Sequence, residues 1–165
     1  MSGITMIVAV DKNNVIGKNG DIPWSGRLRG DMRHFKIYTM GKTVVMGRKT
    51  YDSIPEKFRP LTGRKNVVMT NSATWESEGC VATKDIEKIK KLSLSEEVCI
   101  IGGAEIYRLF LPIADRLIIT VVDTEVENGD TFFPDVKSGW NKNILSEHEA
   151  DEVNQFSFTI FEYTR

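Results

Sequence analysis

The ten residues Val98-Cys99-Ile100-Ile101-Gly102-Gly103-Ala104-Glu105-Ile106-Tyr107 decide how this chain folds. The first four are apolar and mostly β-branched, and a short continuous apolar run reads as a strand buried on both faces. Two glycines end it. A helix then runs to about Leu111, because Ile106, Tyr107, Phe110 and Leu111 recur at helical spacing, and Pro112 stops it. A buried strand, a glycine-marked turn and a helix form the repeating unit of parallel sheets covered by helices.

The same unit recurs on either side. Thr43-Val44-Val45-Met46 is a strand, and Gly47-Arg48-Lys49-Thr50 opens a short helix that reaches Ile54. Ile4-Thr5-Met6-Ile7-Val8-Ala9-Val10, Asn66-Val67-Val68-Met69-Thr70, Cys80-Val81-Ala82 and Leu117-Ile118-Ile119-Thr120-Val121-Val122 are further strands. Residues 27–39 carry a helical pattern with Leu28, Met32, Phe35 and Thr39 on one stripe. Residues 86–92 carry another, capped by Thr83 or Asp85. Residues 11–26 and 55–63 hold the Asp, Asn, Gly and Pro of loops. The end of the chain changes character. Phe156-Ser157-Phe158-Thr159-Ile160 alternates with period two, as an antiparallel strand with one exposed face does, and pairs with 143–149. The pattern predicts one α/β domain over residues 1–165. Its central sheet is mostly parallel, with about eight strands, about four flanking helices and an antiparallel C-terminal strand.

A chain of 165 residues suffices for one core. Its net charge of -1 provides no general field for nucleic acid or an acidic membrane surface, though a local basic pocket remains compatible with it. No apolar run has the length of a membrane span, and the first six residues lack the basic and apolar regions of a signal peptide. Cys80 and Cys99 match no zinc or redox spacing and read as reduced thiols. His34 and His148 are too few for a histidine metal site, so no metal is expected. A cytoplasmic protein without a membrane or nucleic-acid partner follows as the expectation.

Several residues stand out as candidate chemistry. Asp31 shares a helix face with Leu28, Met32 and Phe35. An acid in a first turn also suits the helix dipole. Facing a pocket, however, a desolvated carboxylate rises in pKa and can hold a flat nitrogen heterocycle through two hydrogen bonds. Gly47-Arg48-Lys49-Thr50 joins free N–H groups at a helix start to two cations, an anion site. A phosphate-loop ATPase is rejected, because five residues separate Gly41 from Gly47 and Arg48 stands where the lysine should be. Gly102-Gly103-Ala104 lacks the G-x-G-x-x-G fingerprint, but two glycine-marked helix starts after parallel-type strands point to a dinucleotide. Arg64, after Leu61-Thr62-Gly63, has the chemistry of a bidentate carboxylate clamp. Trp24, in the polar loop Asn19-Gly20-Asp21-Ile22-Pro23-Trp24, reads as part of a lid over a ring-shaped ligand.

Taken in order, these segments resemble the dihydrofolate reductase family along nearly the whole chain. The stretches that carry the resemblance are Ile7-Val8-Ala9-Val10-Asp11, Val15-Ile16-Gly17, Ile22-Pro23-Trp24, Asp31 through Phe35-Lys36, and Val45-Met46-Gly47-Arg48-Lys49-Thr50. They continue with Ser53-Ile54, Leu61-Thr62-Gly63-Arg64-Lys65-Asn66, Ile100 through Tyr107, and Asp130-Thr131-Phe132-Phe133-Pro134.

The resemblance implies an NADPH-dependent reduction of 7,8-dihydrofolate to 5,6,7,8-tetrahydrofolate for one-carbon metabolism, by a monomer that antifolate inhibitors target. Hydride would pass from nicotinamide C4 to pterin C6, with protonation of the adjacent nitrogen. Asp31 would be the pocket acid, oriented by the hydroxyl of Thr120, with Ile22 and Trp24 in a mobile loop over the nicotinamide. Ala9, Phe35, Ser53, Ile54, Leu61 and Ile101 would wall the substrate pocket, and Arg64 would clamp the glutamate α-carboxylate. For NADPH, Arg48, Lys49 and Thr50 match the phosphate region, with Gly47, Thr70 and Asn71 beside it, and Arg48 would take the 2′-phosphate. Gly102, Gly103 and Ala104 would receive the diphosphate, with Glu105 and Ile106 beside them. Tyr107, Ala9, Ile16, Gly17 and Ile101 complete the cofactor side.

Two departures from the family pattern bear on function. Ser25-Gly26-Arg27-Leu28-Arg29-Gly30 makes the segment between Trp24 and Asp31 one or two residues longer than in most relatives, so that either the loop bulges or the helix starts later. Glu105 would repel phosphate and is expected to point away. The related reductase of the riboflavin pathway is the second reading, opposed by Arg64 and by the segment from Trp24 to Asp31. A non-catalytic folate- or nucleotide-binding module is the third, and turnover separates it from the enzyme.

Overall fold

A computed structural model describes residues 2–165, and Met1 lies outside it. In chain order the elements are β1 (Gly3–Val10), β2 (Val15–Gly17), α1 (Arg29–Thr39), β3 (Thr43–Gly47), α2 (Arg48–Ser53), β4 (Lys65–Met69), β5 (Cys80–Thr83) and α3 (Ile86–Ser93). They continue with β6 (Glu97–Gly102), α4 (Ala104–Phe110), β7 (Arg116–Val122), β8 (Thr131–Phe132), β9 (Asn141–His148) and β10 (Phe158–Thr164). Eight strands form one sheet in the order β5-β4-β3-β6-β1-β7-β10-β9, and β2 pairs with β8 apart from it. The strands from β5 to β7 are parallel, and β10 runs antiparallel to β7 and to β9. The α/β architecture expected from the alternating strands and helices is the one observed.

β1 sits in the middle of the sheet and is covered on both faces, so it reads as a continuous apolar run. Its side chains alternate between two cores. Met6 and Val8 join Val45, Ile100, Phe110 and Leu117 on one face. Ile7 joins Trp24, Leu28, Ile118 and Ile160 on the other. Among the described residues, no helix is long and apolar enough to cross a membrane.

The structure adjusts several local expectations. α1 begins at Arg29 rather than residue 27, after a turn in which Gly26 has φ 75°. Of the two ways of accommodating the segment from Trp24 to Asp31, the later helix start is the one seen. Leu28 and Thr39 are buried as expected, but Met32 is 58% exposed. A helical wheel assigns a face but not how far the sheet extends beneath it. Asp85, not Thr83, caps α3, its carboxylate accepting the Glu87 N–H at 2.9 Å. The last strand lies two residues later than the alternation suggests. Lys142 covers the rings of Phe161 and Tyr163, 4.2 and 5.5 Å from their centroids, so both faces of that strand carry apolar groups and the period is blurred. β2 and β8 are too short to leave a periodic signal, and β2 falls within a stretch read as loop.

Candidate functional site

Parallel strands bring their carboxyl ends to one edge, where ligands bind in open α/β sheets. Thr120 lies in β7 directly opposite Ala9 of β1 and is buried. Its hydroxyl donates to Oδ1 of Asp31 at 2.8 Å, joining the first turn of α1 to the middle of the sheet. Burial pushes the Asp31 carboxyl above its ordinary pKa. The Thr120 hydrogen bond and the charge of His148 pull it partly back. A desolvated acid with one oxygen fixed by a hydroxyl presents its other oxygen in a defined direction, which suits recognition of a polar ring edge.

Apolar side chains of α1, β1, β6 and β7 form the neighbouring clusters. Ala9, Phe35 and Ile101 pack against the cluster that holds Trp24, Leu28 and Ile118. Ile54 and Leu61 pack against Val44, Met46 and Tyr51, and Ile101 belongs to both groups. Ser53 is exposed and donates to the Thr50 carbonyl at 2.6 Å. In the loop before α1, Trp24 is buried and Ile22 is 51% exposed. A cavity of about 240 Å³ lies against Trp24, Arg27 and Phe156. The loop is tied to the β8 region, where Asp130 Oδ2 accepts the Asn19 N–H at 2.8 Å and Gly17 O accepts the Asp130 N–H at 3.1 Å. Asp130 lies within a segment that the sequence singled out, but its role as a loop tether went unread. Asp11 was missed in the same way. It is buried, and its carboxylate accepts from the N–H groups of Asn13, Val15 and Val126.

Arg64 is partly buried, and burial lowers its pKa. Its guanidinium donates to the Thr62 carbonyl at 3.0 Å and to the Thr39 hydroxyl at 3.1 Å. These bonds hold the planar fork in place and leave other N–H groups for a carboxylate.

The two glycine-marked helix starts are neighbours, because Met46 of β3 pairs with Gly102 of β6. A Cβ on Gly103 would lie 3.3 Å from Oγ1 of Thr50, and one on Gly47 would lie 3.1 Å from Ile106. Gly102 has φ 119°, and a Cβ there would meet the Tyr107 ring at 3.2 Å. The Gly102–Gly103 peptide is cis. The result is a cradle of bare backbone with N–H groups at two helix starts, the Thr50 hydroxyl, and Arg48 and Lys49 at its rim. This donor set fits a diphosphate-containing dinucleotide. Arg48 lies 3.6 Å from Asp52 in a half-exposed pair, which leaves its guanidinium loosely held. Thr70 and Asn71 follow β4; the Thr70 N–H donates to Thr83 O at 3.0 Å, and Asn71 is exposed. Glu105 is exposed, whereas Ala104 and Ile106 are partly buried. Ile16 packs against the main core cluster. Tyr107 is buried, and its hydroxyl donates to the Ile7 carbonyl at 2.8 Å.

A larger cleft of about 590 Å³ opens at the opposite edge, where β6 and β7 begin. Its charges are already paired. Glu97 accepts from Thr5 at 2.7 Å, Tyr38 at 2.6 Å and Lys42 at 2.9 Å. Burial alone would raise this carboxyl, but these donors hold it below its ordinary pKa. The cleft has the bonding of a structural tie between strand starts.

A family model described as dihydrofolate reductase matches residues 3–165. The type 3 dihydrofolate reductase of Salmonella typhimurium is 45% identical over 156 residues, covering 93% of this chain and 93% of that protein. The dihydrofolate reductase of Bacillus subtilis (strain 168) is 37% identical over 164 residues, covering 98% and 94%. Among solved structures, dihydrofolate reductase from Enterococcus faecalis complexed with NADP(H) and RAB-propyl superposes with a TM-score of 0.89 at 31% identity, over 99% of this chain and 96% of that one.

Proposed function

This chain belongs to the dihydrofolate reductase family, and from that premise we propose how its residues carry out the NADPH-dependent reduction of 7,8-dihydrofolate to 5,6,7,8-tetrahydrofolate. The observation that carries the reading is the desolvated Asp31 carboxyl held by Thr120 at the carboxyl ends of the parallel strands, beside the glycine cradle. When bound, NADPH supplies the hydride that passes from nicotinamide C4 to pterin C6.

The chain's residues supply position, exclusion of bulk water and polarisation of the ring that takes up the proton. Asp31 binds the ring edge of the pterin and polarises it, so that the nitrogen next to C6 takes a proton from water admitted under the loop. Thr120 fixes the carboxylate. Ala9, Phe35, Ile54, Leu61 and Ile101 wall the ring pocket, Ser53 stands at its rim, and Arg64 clamps the glutamate α-carboxylate. The cradle from Gly102 to Ile106, with Gly47, Lys49, Thr50, Thr70 and Asn71, holds the cofactor phosphates, and Arg48 meets the 2′-phosphate. The exposure of Glu105 agrees with a side chain directed away from them. Ile16, Gly17 and Tyr107 border the nicotinamide, Tyr107 through its ring, since its hydroxyl is bonded to β1. Ile22 and Trp24 belong to the loop that closes over both rings, and holding two rings in near-attack geometry supplies a large part of the rate.

The same pocket takes inhibitors that imitate the pterin. The reading includes a monomer working in the cytoplasm without a nucleic-acid or membrane partner, in keeping with a net charge of -1 and two free thiols. Light scattering after size exclusion checks the monomer.

The direct test follows loss of the reduced-nicotinamide absorbance with dihydrofolate, against controls lacking either substrate. Oxidation only when both are present is the expected result. Folded protein that binds NADPH but does not oxidise it would overturn the proposal.

A further inference from the structure

α1 lacks a local cap. Leu28 stands at its N-terminus with no side-chain oxygen to offer, and the acid of its first turn, Asp31, is engaged by Thr120. The open N–H groups are met from 124 residues away, where Asn154 Oδ1 accepts the Gly30 N–H at 2.8 Å. The Val153 carbonyl accepts the Arg29 N–H at 3.2 Å, the Arg27 carbonyl accepts the Gln155 N–H at 2.8 Å, and Leu28 forms a bridge with Asn154. Residues 151–155 thus form a strap across the start of the helix and the end of the segment that follows Trp24.

The strap is itself organised. Asp151 Oδ1 accepts the N–H groups of Val153 and Asn154 at 2.9 and 2.8 Å and the Asn154 side-chain amide at 3.1 Å. Those bonds hold the Asp151 carboxyl below its ordinary pKa. Asn154 is buried, and both ends of its side-chain amide are used. Gly30 makes the approach possible, since a Cβ there would lie 3.1 Å from Asn154 Oδ1 and 3.1 Å from Phe158.

We propose that Asn154 is a positioning residue for Asp31, capping α1 across the fold and holding fixed the turn that carries the acid. The inference rests on Asp31 acting as the pocket acid. Its physical basis is that a helix start without a cap frays over its first turn, and Asp31 is the third residue of α1. A carboxylate that must meet both Thr120 and the pterin edge tolerates little such motion.

The test compares Asn154→Ala with the exchanged pair Asp151→Asn/Asn154→Asp, measuring single-turnover hydride transfer across pH and NADPH affinity. Asn154→Ala should slow hydride transfer roughly three- to tenfold, with NADPH affinity unchanged. The exchanged pair keeps a capping oxygen and a donor to it. It should recover the rate while moving the pKa of the profile upward, because a negative charge then accepts the N–H of Gly30, the residue next to Asp31. His148, the other charged group acting on Asp31, is unaltered in both variants.

A wild-type rate and profile in Asn154→Ala would overturn the inference, as would losses of rate and NADPH affinity in equal proportion. If Asn154→Ala does not fold, Asp151→Ala, which frees Asn154 from its anchor, decides: slowed hydride transfer with NADPH affinity intact supports the inference, and a wild-type rate overturns it. Asp31→Asn, run alongside, keeps the two readings apart. A fast Asp31→Asn enzyme would remove the acid's role, whereas a slow one beside a normal Asn154→Ala would remove only the cap.

Discussion

The role proposed for Asp31 carries a cost in stability. Its folded pKa is raised, so the folded state keeps the proton to higher pH than the unfolded state does. Stability therefore falls as pH rises from the unfolded value through the folded one, and the loss persists at neutral pH. Asp31→Asn removes that penalty while its amide oxygen can still accept from Thr120. The variant should lose turnover by roughly a hundredfold or more, as removal of a proton-handling group does. It should also unfold at a higher temperature than the parent at neutral pH, by an amount that shrinks toward acid. A lower midpoint at neutral pH would contradict the burial of an ionised group. Arg64 permits a second substitution test at this scale. Arg64→Ala should weaken folate roughly tenfold or more, the size of a lost charge-assisted hydrogen bond, and leave a pterin without the glutamate unaffected. Equal weakening in titrations of both ligands would make the arginine a support for Thr39 and Thr62 only.

The pair of helix starts at Gly47 and Gly103 acts as one element, because β3 and β6 are adjacent. Arg48→Ala should weaken NADPH roughly tenfold more than NADH, since only the former carries a 2′-phosphate for that guanidinium. Equal losses in fluorescence titrations would move the contact to another residue. Gly102→Ala acts on backbone and packing together, with a φ of 119° and a Tyr107 ring 3.2 Å from the new Cβ. It should destabilise the fold by about 1–3 kcal/mol in urea unfolding and weaken NADPH binding. Both helix starts are legible in the sequence, because glycine after an apolar run is a local signal. The start of α1 is not, because its cap comes from Asn154 and no local pattern encodes a partner so far along the chain.

Across the molecule, the sheet order brings together residues from β1, α1, β3, β6 and β7. A ligand that binds only when these are assembled stabilises the fold by mass action. NADPH at a hundredfold excess over its Kd should add about 2.7 kcal/mol. For a chain of this size that corresponds to roughly 5–11 °C in Tm. The shift should survive in Asp31→Asn and shrink in Arg48→Ala when both are measured by thermal unfolding at equal NADPH. A shift independent of Arg48 would separate cofactor binding from the cradle.

The sequence by itself determined the classes of element and the chemical inventory. β1, β3, β4, β6 and β7 are apolar runs because both faces of a parallel sheet are buried, and the Gly, Pro and Asp signals at their ends act over a few residues. The resemblance of ordered motifs then named the family. Tertiary structure alone decided what meets what. The strand order puts β1 beside both β6 and β7, sets Ala9 against Thr120, and brings the Thr120 hydroxyl to Asp31 across 89 residues. It also lays the strap of Asp151 and Asn154 over a helix start that lacks its own cap. Local preferences act within a turn or two, whereas these contacts depend on closure of the whole sheet: the family resemblance implied the partner of Asp31, but nothing in the sequence implied Asn154 as the cap of α1.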